Sequence, residues 1–241
     1  MITIYVKDLM KSFKDKRVLN GLTFSVEEGE VFCLVAPNGA GKTTTLRILA
    51  GIIESYTGIV EILNMKPIEA KKKQVISYLP EEAEPYERFT GLENMLFYYS
   101  LYYGSSNIDE RVIRRGIEIA DLGDAINERT SKYSKGMKRR LLLSQVLMVD
   151  PRVVILDEPT DGLDIESSVR VRKTIKKMAE DGKTIVMSSH NMLEVGYVCK
   201  EIAMMYKGVI IEKGTPEYLM KKYEAENLEE VYLKAKELYL P

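Results

Sequence analysis

The chain has 241 residues, with 35 Lys+Arg against 36 Asp+Glu, one histidine, two cysteines and no tryptophan. That length suffices for a substantial hydrophobic core, while a net charge of −1 removes the blanket electrostatic case for binding nucleic acid. Cys33 and Cys199 are too few for a disulfide framework and one histidine too few for a multi-histidine metal site; with neither a signal-peptide pattern nor 18 consecutive apolar residues, a soluble intracellular protein is expected.

Residues 2–6 and 22–27 alternate like strands with one buried face, and Glu28-Gly29 marks a turn. Segment 30–35 (EVFCLV) is a continuous apolar run, the pattern of a parallel strand covered on both faces. It leads through PNGAG into TTTLRILAG, read as a helix stopped by Gly51. Residues 59–63 and 75–79 are further strands. Helices are predicted over 91–103, 108–121 and 136–149, with Gly104-Ser105-Ser106 breaking the first pair. Strand patterns return at 153–156 and 184–188 around a helix over 164–181, and strands 201–206 and 209–212 flank the turn Lys207-Gly208. In the tail, 227–240, Leu228, Val231, Tyr232, Ala235, Leu238 and Tyr239 share one helical stripe, read as docking onto the chain's own core. Strands, then helices, then strands predict an α/β sheet domain interrupted by an inserted helical subdomain.

Residues 36–43, Ala-Pro-Asn-Gly-Ala-Gly-Lys-Thr, fit the P-loop pattern G-x-x-x-x-G-K-[ST] except that Ala36 replaces the first glycine. Gly39 and Gly41 let backbone N–H groups surround phosphate oxygens, and the following helix adds its positive end. Lys42 can reach the β- and γ-phosphates, and the Thr43 hydroxyl can ligate Mg²⁺. Asn38, Gly39, Ala40, Gly41, Lys42, Thr43 and Thr44 are therefore candidate nucleotide contacts. Ala36 suits an ordinary extended backbone and would resist φ > 0.

The run Val153–Leu156 ends in Asp157-Glu158, at the strand end that faces the ligand crevice in a parallel sheet. Asp157 suits Mg²⁺, and Glu158 could take a proton from an attacking water. Alone, such a pair could equally cap the next helix. His190 closes another apolar strand, within reach of a γ-phosphate or the attacking water.

Together with Tyr133-Ser134-Lys135-Gly136-Met137, these residues make the chain resemble the nucleotide-binding subunits of ATP-binding cassette (ABC) transporters. The segment looks like the family's LSGGQ signature in the YSxGM form, which resembles the ATPases of ABC-2-type exporters. The resemblance spans about residues 2–223. It implies a P-loop NTPase (RecA-like) α/β core with an antiparallel β subdomain, a helical subdomain inserted at about 83–150, and a C-terminal helical extension over 224–241. It implies that Phe13 stacks on adenine, that Asp157 and Glu158 are the Walker B aspartate and catalytic glutamate, and that His190 is the switch histidine. Thr160–Asp164 matches the D-loop, with Asp164 a candidate nucleotide contact. Glu81 takes the Q-loop position, a candidate Mg²⁺ ligand where glutamine is usual. Ser134, Lys135 and Gly136 would bind the γ-phosphate held on a second subunit, a copy of this chain or a paralogue, in a head-to-tail dimer around two MgATP.

The expected activity is ATP hydrolysis, with Glu158, His190 and Lys42 catalytic, powering a separate membrane permease from its cytoplasmic face, with export favoured. Tyr86, Phe89 and part of the set Phe97, Tyr98, Tyr99, Tyr102 and Tyr103 would line the cleft that receives a permease helix. Three departures stand out: Lys135 replaces the first signature glycine, Met137 the glutamine, and Glu81 adds negative charge beside a triphosphate. The alternative is a soluble ABC-type ATPase in DNA repair or translation, and the long coiled coils or tandem cassettes of such proteins are missing from this sequence. A P-loop kinase would explain the phosphate loop but not 133–137 or 160–164.

Overall fold

The structure is a computed structural model that describes residues 1–104 and 107–239, with only the backbone of residues 193 and 194. The expected break at Ser105-Ser106 and the last tail residue, 240, lie outside the described residues.

Two long strands open the chain, β1 (Ile2–Phe13) and β2 (Lys16–Glu27), paired antiparallel from Phe13↔Lys16 outward. Both run well beyond the sequence expectation. Register shifts between Val6 and Leu9 and a left-handed Asp8 break the period of two midway, so the alternation reads as shorter strands. With β4 (Thr57–Ile62) they form a three-stranded sheet in the order β2-β1-β4.

The second sheet has six strands in the order β5-β6-β7-β3-β8-β9. Its members are β3 (Val31–Val35), β5 (Ile76–Leu79), β6 (Val153–Leu156), β7 (Thr184–Ser189), β8 (Glu201–Tyr206) and β9 (Val209–Gly214). All neighbours pair parallel except the β8–β9 hairpin. The continuous apolar run in β3 has a direct explanation. Phe32 and Leu34 face a core shared with the antiparallel sheet and α1 (Lys42–Leu49), while Val31, Cys33 and Val35 face a second core beneath the helices on the other side. Both faces are sealed, so no polar residue is tolerated.

Between β5 and β6 lies the helical insert: α3 (Gly91–Tyr103), α4 (Glu110–Ala120) and α5 (Lys135–Met148), with its own core around Met95, Ile113, Leu141 and Met148. Helix α3 starts in a capping box: Thr90 Oγ1 accepts from the Glu93 N–H at 3.1 Å, and Glu93 Oε2 accepts from the Thr90 N–H at 2.7 Å. Its aromatic surplus is partly absorbed. Tyr99 is buried, and Tyr102 donates to the Gln74 carbonyl at 2.7 Å, tying the insert to the core.

Helix α6 (Ile165–Glu180) matches the expected span, but three short helices escape the sequence reading: α2 (Pro67–Lys72), α7 (Met192–Val198) and α8 (Pro216–Lys222). Two of them carry a start signal, a proline at the first helical position. Tail helix α9 (Leu228–Tyr239) buries Leu228, Val231, Tyr232 and Ala235. The expected stripe is corrected at its end: Leu238 is 79 % exposed and Tyr239 exposed, because the helix runs past the core, and the Tyr239 ring lies 6.4 Å from that of Tyr206.

Candidate functional site

The parallel strands β3, β5, β6 and β7 all end on one edge of the sheet, so the loops holding 36–41, 80–81, 157–158 and 189–190 converge. Gly41 opens α1 at φ 107°, and a Cβ there would stand 2.6 Å from Leu19 Cδ2. Only glycine suits that turn. Ala36 is not among the left-handed residues, so alanine is accommodated where the pattern has its first glycine. Its carbonyl accepts from Lys42 Nζ at 2.6 Å.

Lys42 is buried, and its ammonium stands 3.1 Å from Glu158 Oε1. That oxygen accepts no hydrogen bond, so the contact is a charge pairing alone. The other oxygen, Oε2, accepts from the His190 backbone N–H at 3.2 Å and lies 2.9 Å from His190 Nδ1. His190 Nε2 in turn lies 3.6 Å from Asp161 Oδ1. Glu158 is 4 % exposed and has φ 45°, a left-handed backbone that a glutamate adopts only when its surroundings impose it.

The Asp157 carboxylate sits among three hydroxyls. Ser188 Oγ donates to Oδ1 at 2.6 Å, Thr43 Oγ1 to the same oxygen at 3.3 Å, and Tyr78 to Oδ2 at 3.3 Å. Burial, with the negative charge of Asp157, pushes the Tyr78 phenol up to about 12, which keeps it a proton donor. Ser188 Oγ also accepts from the Glu158 N–H at 2.9 Å, so one hydroxyl orients both acids. The neighbouring hard oxygens of Thr43 and Asp157 suit Mg²⁺ chemically. Among the described residues no three acidic, histidine or cysteine side chains group as a metal cage.

A cleft of about 620 Å³ runs along the loop, lined by Asn38, Gly39, Gly41, Lys42, Thr43, Thr44, Glu81 and Glu158. Partial burial raises the Glu81 pKa, and repulsion from Asp157, Glu158 and Asp161 raises it further. The cleft also takes Lys16, Arg17, Val18, Asn20 and Lys207, which the sequence reading did not single out. The turn Lys207-Gly208 reaches it because Asn20 donates to the Lys207 carbonyl at 2.8 Å and the Gly208 N–H donates to the Ala40 carbonyl at 3.1 Å. Residue Ala40 is buried beneath the loop rather than lining the cleft.

Other expected residues stand apart. Phe13 is outside the cleft lining, exposed at the hairpin end with Lys11 Nζ 4.8 Å above its ring; Lys16, its cross-strand partner, lines the cleft instead. Ser134, Lys135, Gly136 and Asp164 also lie off it. Ser134 caps α5 by accepting from the Met137 N–H at 3.2 Å. Asp164 caps α6 by accepting from the Ser167 N–H at 2.8 Å. At Gly136 a Cβ would overlap the Ser167 side chain, so the two helix starts are packed as closely as glycine permits. Lys135 Nζ leans over Gly162 and lies 4.0 Å from Asp161. Arg139, also missed, carries no motif signal.

Comparison with known proteins points to one family. The ABC transporter family matches residues 19–161. The Nod factor export ATP-binding protein I of Rhizobium meliloti is 34% identical over 233 residues, 96% of this chain and 70% of that protein. The ABC transporter ATP-binding protein NatA of Bacillus subtilis is 32% identical over 244 residues, 97% of each chain. A solved ATP-binding subunit of an ABC transporter superposes with a TM-score of 0.83 at 26% identity, covering 97% of this chain and 99% of that one. The chain belongs to the ABC transporter family. It is an ATP-hydrolysing enzyme, the subunit that powers a membrane transporter. Among the described residues no helix is long and apolar enough to cross a membrane.

Proposed function

We propose that residues 1–223 act as an ATPase cassette that closes head-to-tail on a second copy around two MgATP, with 224–241 as a C-terminal extension. One observation carries this reading: Lys42, Thr43, Asp157, Glu158 and His190 form one contiguous site. The signature Ser134–Gly136, at the start of a 14-residue helix, lies off that cleft and is free to meet phosphate on another chain.

In the mechanism, Lys42 exchanges Glu158 for the β- and γ-phosphates, which leaves the Glu158 carboxylate to take a proton from the attacking water. The γ-phosphoryl leaves as inorganic phosphate and ADP remains on the loop. His190 holds the glutamate in line through its backbone N–H and ring. Thr43, Asp157 and Glu81 would hold Mg²⁺, which neutralises charge on the phosphates when bound. Asn38 to Thr44 cradle the phosphates, Phe13, across from cleft-lining Lys16, faces the base, and Lys135 adds positive charge to the γ-phosphate from the opposite copy, with Asp164 beside it.

The permease is proposed to dock in the apolar groove of about 230 Å³ between β5 and α3, where Tyr86 is 58 % exposed and its ring packs edge-on to Phe97 at 4.9 Å. That contact would hold the chain on the inner face of the cell membrane. The relatives named for Nod factor export and linearmycin resistance favour an exporter. The test is Glu158→Gln with MgATP: hydrolysis should fall by about 10²–10⁴-fold while a dimer accumulates in light scattering. Hydrolysis at the wild-type rate would remove Glu158 as the base, and a strictly monomeric variant would remove the sandwich.

A further inference from the structure

We infer that Arg139 is a positioning residue for hydrolysis, the joint through which the helical insert sets the backbone that aims Glu158. The inference rests on the proposed role of Glu158 as base.

Arg139 lies on α5, just past the signature, and is 7 % exposed. Its guanidinium makes five hydrogen bonds, and every acceptor is a backbone carbonyl. Nε donates to Pro159 at 3.0 Å; Nη1 to Pro80 at 3.2 Å and Glu81 at 3.3 Å; Nη2 to Asp157 at 2.9 Å and Glu158 at 2.6 Å. It thus grips the ends of β5 and β6 at once. The carbonyls of Asp157, Glu158 and Pro159 are consecutive, and together they fix the peptide planes on both sides of the left-handed Glu158. A residue strained in this way keeps its conformation only where the surroundings over-determine it. Burial lowers the Arg139 pKa from the ordinary guanidinium value, and the nearby carboxylates of Asp157, Glu81 and Asp161 pull it back up without hydrogen-bonding to it. The planar fork is essential, because a lysine ammonium has three donors from a single point and cannot span five carbonyls on two strands. Any displacement of α5 against the sheet is therefore handed directly to the backbone around Glu158, and none of these five bonds goes to the phosphate loop.

The experiment is a cycle of Arg139→Lys, Arg139→Gln, Glu158→Gln and the double variants in the full chain. It is read by single-turnover hydrolysis, KM for ATP and equilibrium binding of a non-hydrolysable analogue. Arg139→Lys should lower kcat by about 10–100-fold, because a misplacement near 1 Å costs on that order, with KM and analogue binding within about twofold. On the Glu158→Gln background the same change should cost less than about twofold, since residues acting as one unit are not additive. A full, independent loss on that background overturns the proposal, as does an unchanged kcat, or a rise in KM at constant kcat. If both Arg139 variants fail to bind the analogue, the residue serves folding and the proposal falls. A Glu158→Gln chain working at the wild-type rate sinks the base assignment itself, a result distinct from additivity.

Discussion

Removing the Ser188 hydroxyl tests whether one buried group orients both acids. Ser188 is fully buried; its Oγ donates to Asp157 Oδ1 at 2.6 Å and accepts from the Glu158 N–H at 2.9 Å. In Ser188→Ala the Glu158 N–H loses its acceptor inside the protein, which costs about 1–3 kcal/mol, and a charge-assisted bond worth about 1.5–3 kcal/mol disappears. Thr43 and Tyr78 still donate to the carboxylate at 3.3 Å each, which trims the second loss. A net destabilisation of about 3 kcal/mol follows, and for a chain of this size it lowers Tm by about 6–12 °C. The assay is a calorimetric melt of nucleotide-free protein at neutral pH, with Ser189→Ala as control. Ser189 Oγ serves only a local turn, accepting from the Asn191 N–H at 3.0 Å, so its loss should cost no more than about 1 kcal/mol. If Ser188→Ala shifts Tm by less than about 2 °C, or no more than the control does, the shared-hydroxyl argument is wrong.

Glu81→Gln should hold or raise ATPase activity and tighten MgATP binding near pH 7.5, because it removes a carboxylate crowded by Asp157, Glu158 and Asp161. The raised pKa fixes the sign: as pH falls through it, wild-type Glu81 picks up a proton and becomes glutamine-like, so the KM gap between the two proteins must narrow toward acid. A gap that widens toward acid, or a collapse of activity on substitution, refutes this. Gly136→Ala should leave ATP binding to the monomer within about twofold yet abolish the ATP-dependent dimer, since the new methyl meets Ser167 and shifts the start of α5; sedimentation velocity reads it. Leu228→Ala should cost about 2–5 kcal/mol in a urea melt, whereas Leu238→Ala, at 79 % exposure, should stay within about 0.5 kcal/mol.

The sequence was most legible where one physical rule dominates. Buried parallel strands need apolar side chains on both faces, so 153–156 and 201–206 are found to the residue. A long helix with a capping box is equally plain, and 91–103 is found in full. The hairpin 2–27 is only half legible in the sequence because Asp8 and the register shifts break its period, although the two strands are continuous in space. Short helices such as 67–72 and 192–198 bury too few residues to show a period, and tertiary contacts decide them. In the site, the phosphate loop and the acid pair declare themselves by local order, and they do converge, within 3.3 Å at Thr43 and Asp157. Lys16, Arg17 and Lys207 were hidden because their loops meet the cleft only through pairing of β1 with β2 and the turn after β8. Arg139 was hidden for another reason: its partners are carbonyls, and carbonyls leave no trace in a sequence.

The charge arrangement also gives the nucleotide a definite task. Lys42 and Glu158, both buried, satisfy each other's charge at 3.1 Å, a pairing in which either partner left alone would be costly. On the proposed mechanism a triphosphate would supply negative charge that competes for Lys42, so binding and release of Glu158 would be one event. Glu158 cannot then wander, because Ser188, Arg139 and His190 fix its backbone N–H, its carbonyl and its outer oxygen. On the proposed mechanism the lysine would be the element exchanged and the glutamate the element held, with the single histidine bridging Glu158 to Asp161.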